Sequence, residues 1–277
     1  MIRVDSHQHY WQLNRFDYSW IQPGNAPLHK DRLPEDLHPH MLASGIDRAV
    51  LVQAAGTVDE IPWLLRLSDD NAYIAGVVGW IDLTSRNVAV ALAGFGRHPR
   101  FRGIRINLPV APRSRAALDE GLHALARHDL SCDLLLSTAV LPQAIDLIAA
   151  HPDVTFVLDH LAGVRPTLAG QDAFTLALQP LAGLPNVAMK LSGYLTAASV
   201  PVNAMVQTWL PYVEIALEIL GSQRLMYGSD WPVCTQAGSY NDTVQVLQGI
   251  MSALDLSLAS QSDIWGETAT SVYRLTF

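Results

Sequence analysis

His7 and His9 are separated by one residue in the run Arg3-Val4-Asp5-Ser6-His7-Gln8-His9. On an extended strand, alternate side chains share a face, so both imidazoles reach the strand's C-terminal edge together. Two converging imidazoles can hold one divalent cation or one polarised substrate group. An isolated HxH is equally compatible with structural histidines. His160 closes Val154-Thr155-Phe156-Val157-Leu158-Asp159, and Asp230 closes Leu225-Met226-Tyr227-Gly228-Ser229, each turning an apolar run polar at its C-terminal end. Read alone, His160 is a loop histidine and Asp230 a helix N-cap. Read together, three imidazoles and a carboxylate can take a proton from water and stabilise a developing negative charge.

Two cations also fall on strand-like runs. Lys190, one of two lysines in the chain, lies in Val187-Ala188-Met189-Lys190-Leu191, and Arg105 lies in Phe101 to Asn107. A buried ammonium needs an ion pair or a polar cavity. Lys190 is therefore either a structural salt bridge or a substrate contact, and Arg105 is weighed in the same way with a substrate role favoured. Trp11, Trp80 and Trp231 flank polar strand ends and offer an apolar wall for a ring, or simply packing. Arg15, Asp17 and Tyr18 could reach substrate hydroxyls.

These residues need a scaffold that gathers strand ends. Eight β-rich runs alternate with helical spacing: 3–7, 48–53, 74–82, 101–107, 130–137, 154–160, 187–193 and 225–230. Intervening stretches such as Ile61 to Leu67 and Leu141 to Ile148 carry helical periodicity. Such alternation predicts parallel strands with crossover helices, and eight units at this length predict an α/β (β/α)8 TIM barrel in a single domain, residues 1–277. Residues 14–33 read as a long loop after strand 1, and 161–184 as a second rim insertion containing a helix.

Composition narrows the partners. The chain is 49% hydrophobic and 16% charged, enough apolar matter for a large core. Its 26 acidic and 18 basic residues give a net charge of −8 with no basic stripe, which argues against nucleic acid as a partner. Cys132 and Cys234 lack metal or disulfide spacing. No signal-peptide pattern or membrane-length apolar run is present, so a soluble cytoplasmic protein without membrane association is expected, its oligomeric state left open.

His7-Gln8-His9, Leu158-Asp159-His160 and Tyr227-Gly228-Ser229-Asp230-Trp231-Pro232 together resemble the amidohydrolase superfamily. From end to end the chain is similar to L-fuconolactonase and L-rhamnonolactonase-like sugar-lactone hydrolases, most specifically in Arg224-Leu225-Met226-Tyr227-Gly228-Ser229-Asp230-Trp231-Pro232-Val233-Cys234. The resemblance implies hydrolysis of a sugar-acid lactone (L-fucono-, L-rhamnono- or galactono-lactone type) to the aldonic acid. It makes Asp230, His7, His9 and His160 catalytic, and Arg105, Lys190, Trp11, Trp231 and Tyr18 substrate-binding. The same four catalytic residues would hold a single divalent ion, zinc suiting them best, and metal-independent catalysis fits them equally.

Two departures matter. The superfamily's bridging Lys or Glu on strand 4 and His on strand 5 are absent, leaving no ligands for a second metal. Where related lactonases read Asp-His-x-x-Lys-Pro, this chain has Asp159-His160-Leu161-Ala162-Gly163-Val164-Arg165-Pro166. The alternatives are a pyrone-dicarboxylate-type lactonase, a decarboxylase of the same superfamily and a ligand-binding barrel without activity.

Overall fold

The computed structural model describes residues 1–109, 115–167 and 169–277. Eight parallel strands follow one another round a single sheet in chain order: β1 (Val4–Gln8), β2 (Arg48–Val52), β3 (Ile74–Gly79), β4 (Phe101–Asn107), β5 (Ser131–Leu135), β6 (Phe156–Leu158), β7 (Val187–Leu191) and β8 (Leu225–Tyr227). The circle closes between β8 and β1, where Asp230 N donates to His7 O (2.9 Å) and His9 N to Trp231 O (2.7 Å). This is the (β/α)8 barrel that the alternating pattern predicts.

The crossover helices form where apolar spacing meets a start signal. Ile61–Asp70 and Leu141–Ala150 each carry Pro in the first turn, where the missing N–H costs nothing and φ is preset. Their buried faces, Trp63, Leu64 and Leu65 on the first and Ala144, Leu147 and Ile148 on the second, join the layer between helices and strands. Among the described residues no helix is long and apolar enough to cross a membrane.

Val4, Val50, Val52, Ala75, Val78, Val157, Ala188 and Met226 fill the barrel interior, and the C-terminal segment closes it from below with Ala269, Tyr273 and Leu275. Arg105 on β4, Asp133 on β5 and Lys190 on β7 add polar side chains to this interior, all buried. These polar groups form the support of the site, because ligand-facing groups of such barrels stand at the C-terminal strand ends.

Residues 14–33 have no regular helix, as the loop reading expects, yet they are ordered by their own small core. Trp11, Tyr18, Ile21 and Leu28 pack with Ala54 and Ala55 from the loop after β2. The 161–184 insertion carries the expected helix, Gln171–Leu178; its residue 168 lies outside the described set.

Candidate active site

His7 lies within β1, and His9 one residue beyond it. His160 follows β6 by two residues, and Asp230 follows β8 by three. Both of the latter leave the sheet in the left-handed region (φ 53° and 58°), and the turn at His160 continues through Leu161 and Ala162 at φ 47° and 54°. Non-glycine residues in this region cost on the order of 1–3 kcal/mol each, and such strain concentrates at functional sites. Close backbone approach helps to seat the histidines. A Cβ on Gly228 would stand 2.8 Å from His7 Cβ, and one on Gly193, itself at φ 73°, would stand 3.1 Å from His160 Cβ.

The four side chains converge on one point. His7 Nε2 is 3.0 Å from His9 Nε2 and 3.7 Å from Asp230 Oδ1, which lies 3.5 Å from His9 Nε2 and 4.0 Å from His160 Nε2. His7, His160 and Asp230 each offer a ligand atom within 4.8 Å of the other two, a group that could hold a single divalent cation, with His9 beside it. The outer contacts agree: His9 Nδ1 donates to Val52 O (2.9 Å), leaving the Nε2 lone pair aimed inward, and His160 Nδ1 meets Ser192 Oγ at 2.8 Å.

Electrostatics keep the carboxylate charged and two of the imidazoles neutral. Burial pushes the Asp230 carboxyl up, but the facing His160, His9 and His7 overcome it and draw it down to about 2. Burial is the dominant influence on His7 and His9, holding both below the ordinary imidazole range.

Beneath the histidines lies a buried ionic layer. Lys190 Nζ donates to Asp133 Oδ2 (2.6 Å) and sits 3.0 Å from Asp159 Oδ1 and 3.2 Å from His7 Nδ1. Arg105 pairs with the other Asp159 oxygen at 3.6 Å and donates to Gln53 O at 2.7 Å. Two carboxylates and two cations leave the layer electroneutral, the condition for burying such groups. Burial opposes the charge on Asp159, yet Lys190 and His7 hold that carboxyl well below its usual range.

Above the convergence point opens a cavity of about 520 Å³. His9, His160 and Asp230 form its polar end, Arg105, Gln53 and Asn107 offer hydrogen bonds, and Trp20 and Trp80 face it with Leu135 and Val233. Of the described residues lining it, Arg105 is the one Lys or Arg.

The structure thus gathers His7, His9, His160, Asp230 and Arg105, brings Trp80 to the cavity wall, and separates the remaining expected contacts from the cavity. Lys190 is fully buried under His7, which corrects the substrate-contact reading in favour of an ion pair. Trp11 is likewise fully buried, its Nε1 donating to Lys30 O, and so forms no wall. Trp231 packs edge-on against Tyr10 with the Arg32 guanidinium over its ring. Tyr18 spends its hydroxyl on Glu60 Oε1 (3.0 Å). Arg15 bonds Gln12, and Asp17 caps Ser19 N.

Three contributors escaped the sequence reading. Trp20 reaches the cavity from the first loop, and Gln53 and Asn107 stand at the ends of β2 and β4. Asp5 was also missed: it accepts from Ser229 N (2.8 Å), Gln8 Nε2 (2.8 Å) and His7 N (3.1 Å), fastening the strand that bears the histidines to the turn that bears Asp230. Its position in Val4-Asp5-Ser6-His7, a carboxylate inside a buried strand, was the available signal.

A parallel eight-stranded barrel with an HxH at β1, a His after β6 and an Asp after β8 defines a hydrolase-type metal-capable site. A family model described as amidohydrolase matches residues 4–275. The chain is 38% identical to an L-fucono-1,5-lactonase of Burkholderia multivorans, covering 99% of this chain and 96% of that protein. It is 33% identical to an L-fucono-1,5-lactonase of Burkholderia ambifaria, with the same coverages. A crystal structure of a Burkholderia multivorans amidohydrolase with bound zinc superposes with a TM-score of 0.92 at 35% identity, over the whole of both chains. The chain belongs to the amidohydrolase family, and it is an enzyme, a hydrolase.

Proposed function

We propose that the protein opens a sugar-acid lactone of the L-fucono-, L-rhamnono- or galactono-lactone type to its aldonic acid. The observation that carries this reading is the ionised Asp230 facing three imidazoles at the polar end of a cavity walled by Trp20 and Trp80. The lactonase relatives support the substrate class.

Asp230 Oδ1 accepts a proton from the attacking water as it adds to the lactone carbonyl. Negative charge develops on the carbonyl oxygen, and the imidazoles and the Arg105 guanidinium face that region of the cavity. Asp230 or a histidine then returns the proton to the departing ring oxygen. Water balances the step: one C–O ester bond breaks and one forms, one proton of the water ends on the ring oxygen as a free hydroxyl, and the other leaves the new carboxyl group to solvent as it ionises. His7, His9, His160 and Asp230 would hold a divalent ion, zinc by donor chemistry, whose contribution is to acidify bound water and polarise the carbonyl. The aromatic faces of Trp20 and Trp80 suit the C–H face of a sugar ring, while Gln53 and Asn107 suit its hydroxyls.

A substrate with two carboxylates would call for more cations than Arg105, the one Lys or Arg among the described residues lining the cavity, which weighs against a pyrone dicarboxylate. The test is a pH-indicator assay on a panel of sugar lactones, using protein of measured metal content with and without prior chelation. Acceleration of at least one six- or five-membered sugar lactone is expected. Carbon dioxide release from an acid substrate without lactone turnover would assign a decarboxylase instead, and saturable binding without any turnover a ligand-binding barrel.

A further inference from the structure

His7 Nδ1 stands between two groups that make opposite demands. The Lys190 ammonium, with Nζ 3.2 Å away, is a hydrogen-bond donor, whereas the Asp159 carboxylate, with Oδ1 3.4 Å away, is an acceptor. A neutral imidazole satisfies one of them at a time, and its choice fixes the state of Nε2.

If Lys190 donates to Nδ1, the ring proton sits on Nε2, 3.0 Å from His9 Nε2. His9 uses its own proton on Val52 O and presents a lone pair there. The run from Lys190 through His7 and His9 to Val52 then matches every donor with an acceptor, and His7 Nε2 is closed to a cation. If the proton sits on Nδ1 instead, two Nε2 lone pairs face each other across 3.0 Å, a repulsive arrangement that a cation between them relieves. Asp159 is placed to receive that Nδ1 proton: its Oδ1 stands 3.4 Å from Nδ1 while also facing Lys190 Nζ at 3.0 Å.

We infer that Lys190 and Asp159 select the tautomer of His7, Lys190 holding the Nε2–H form that excludes a metal and Asp159 stabilising the Nδ1–H form that accepts one. One proton leaves Nε2 and one arrives at Nδ1, so His7 neither releases nor consumes a proton overall, and Lys190 keeps all three of its own. Both are positioning residues, acting on the reaction only through His7. The inference rests on reading the histidines and Asp230 as a metal-capable site and is independent of lactone hydrolysis.

The test uses the full chain, metal-stripped, with 15N-labelled histidine. Long-range proton–nitrogen spectra distinguish the two tautomers, and His7 is assigned by the signal lost in His7→Gln. The Nε2–H form is expected without metal and the Nδ1–H form after zinc is added. Zinc affinity is read in parallel by competition with a chromophoric chelator. Asp133→Asn/Lys190→Met, which removes one buried charge of each sign, should bind zinc at least about tenfold more tightly than Asp133→Asn alone. Asp159→Asn should weaken binding by about tenfold or more. A merely structural role would move both variants the same way.

An Nδ1–H His7 in the metal-free wild type, affinity shifts of the same sign, or no zinc binding by any variant overturns the inference. The wild-type spectrum decides even if a variant fails to fold. Loss of lactone turnover with the tautomer behaving as described would sink the proposed function alone.

Discussion

At the scale of single residues, Asp230 and Trp20 divide chemistry from recognition. Asp230 is buried, ionised and within 4.0 Å of three imidazoles, so its carboxylate is the group best placed to take the water proton. Asp230→Asn keeps the shape and removes the base; kcat on the best lactone should fall about 10²–10⁴-fold while the thermal unfolding transition persists. Retention of most turnover would remove Asp230 from its role. Trp20 presents a half-exposed indole to the cavity and is pinned by donation from its Nε1 to Ala54 O (2.9 Å). Its truncation should cost recognition rather than chemistry. With about 1 kcal/mol for an aromatic contact, Trp20→Ala should raise KM roughly fivefold and leave kcat within a factor of about two. A loss confined to kcat would place Trp20 elsewhere in the cycle.

At the scale of elements, the loops after β1 and β2 are tied together by one carboxyl. Glu60 Oε2 accepts from Ala54 N and Ala55 N, both at 3.0 Å, and Oε1 accepts from the Tyr18 hydroxyl. Burial is the largest influence on Glu60 and lifts its carboxyl to about 7, against 4.5 when unperturbed. The folded protein therefore holds this proton more tightly than the unfolded chain. Glu60's contribution to stability is most favourable below about pH 4.5, declines as pH rises through the interval, and is at its least favourable above about 7. Glu60→Gln mimics the protonated form: its carbonyl can serve both backbone N–H groups while its amide donates to Tyr18 Oη. Denaturant unfolding should show the variant gaining on the wild type as pH rises from 5 to 8, by on the order of 1–3 kcal/mol. A pH-independent difference would discard the shifted carboxyl.

The same two loops show where sequence is legible and where it is not. All eight strands appear near their expected places because apolar runs punctuated by helical spacing are a local signal. Their ends were less accurate: the sixth was read as 154–160 but pairs only over Phe156–Leu158, since His160, Leu161 and Ala162 turn left-handed, which no apolar pattern announces. His7, His9, His160 and Asp230 were readable because each interrupts or ends an apolar run. Trp20 and Glu60 were not, because their importance lies in contacts between loops far apart in the chain. Lys190 was visible as an anomaly, yet its role turns on lying beneath His7 rather than above it, which only the closed barrel decides.

At the scale of the whole molecule, the chain's end is connected to the floor of its active site. Tyr273 enters the barrel from the N-terminal side among Val4, Val50, Val157 and Met226, and its hydroxyl donates to Asp133 Oδ2 at 2.7 Å. Asp133 is also bonded by Lys190 and by Ser131 Oγ (3.0 Å), so the carboxylate that anchors Lys190 is held from three directions. Tyr273→Phe removes one donor and leaves the ring packing intact. Hydrogen bonds to charged groups contribute about 1.5–3 kcal/mol, and with two partners retained a loss of about 1–2 kcal/mol in unfolding free energy is expected. Since Lys190 keeps its contacts with Asp159 and His7, kcat should stay within about threefold, by the rule that a residue acting only through packing leaves the transition-state contacts in place. Denaturant melts and lactone kinetics on the same preparation separate the outcomes. Unchanged stability would mean that the hydroxyl contributes nothing to the plug, whereas a collapse of kcat in a fully folded variant would mean that the barrel bottom governs the histidines above it more directly than the hydrogen-bond geometry implies.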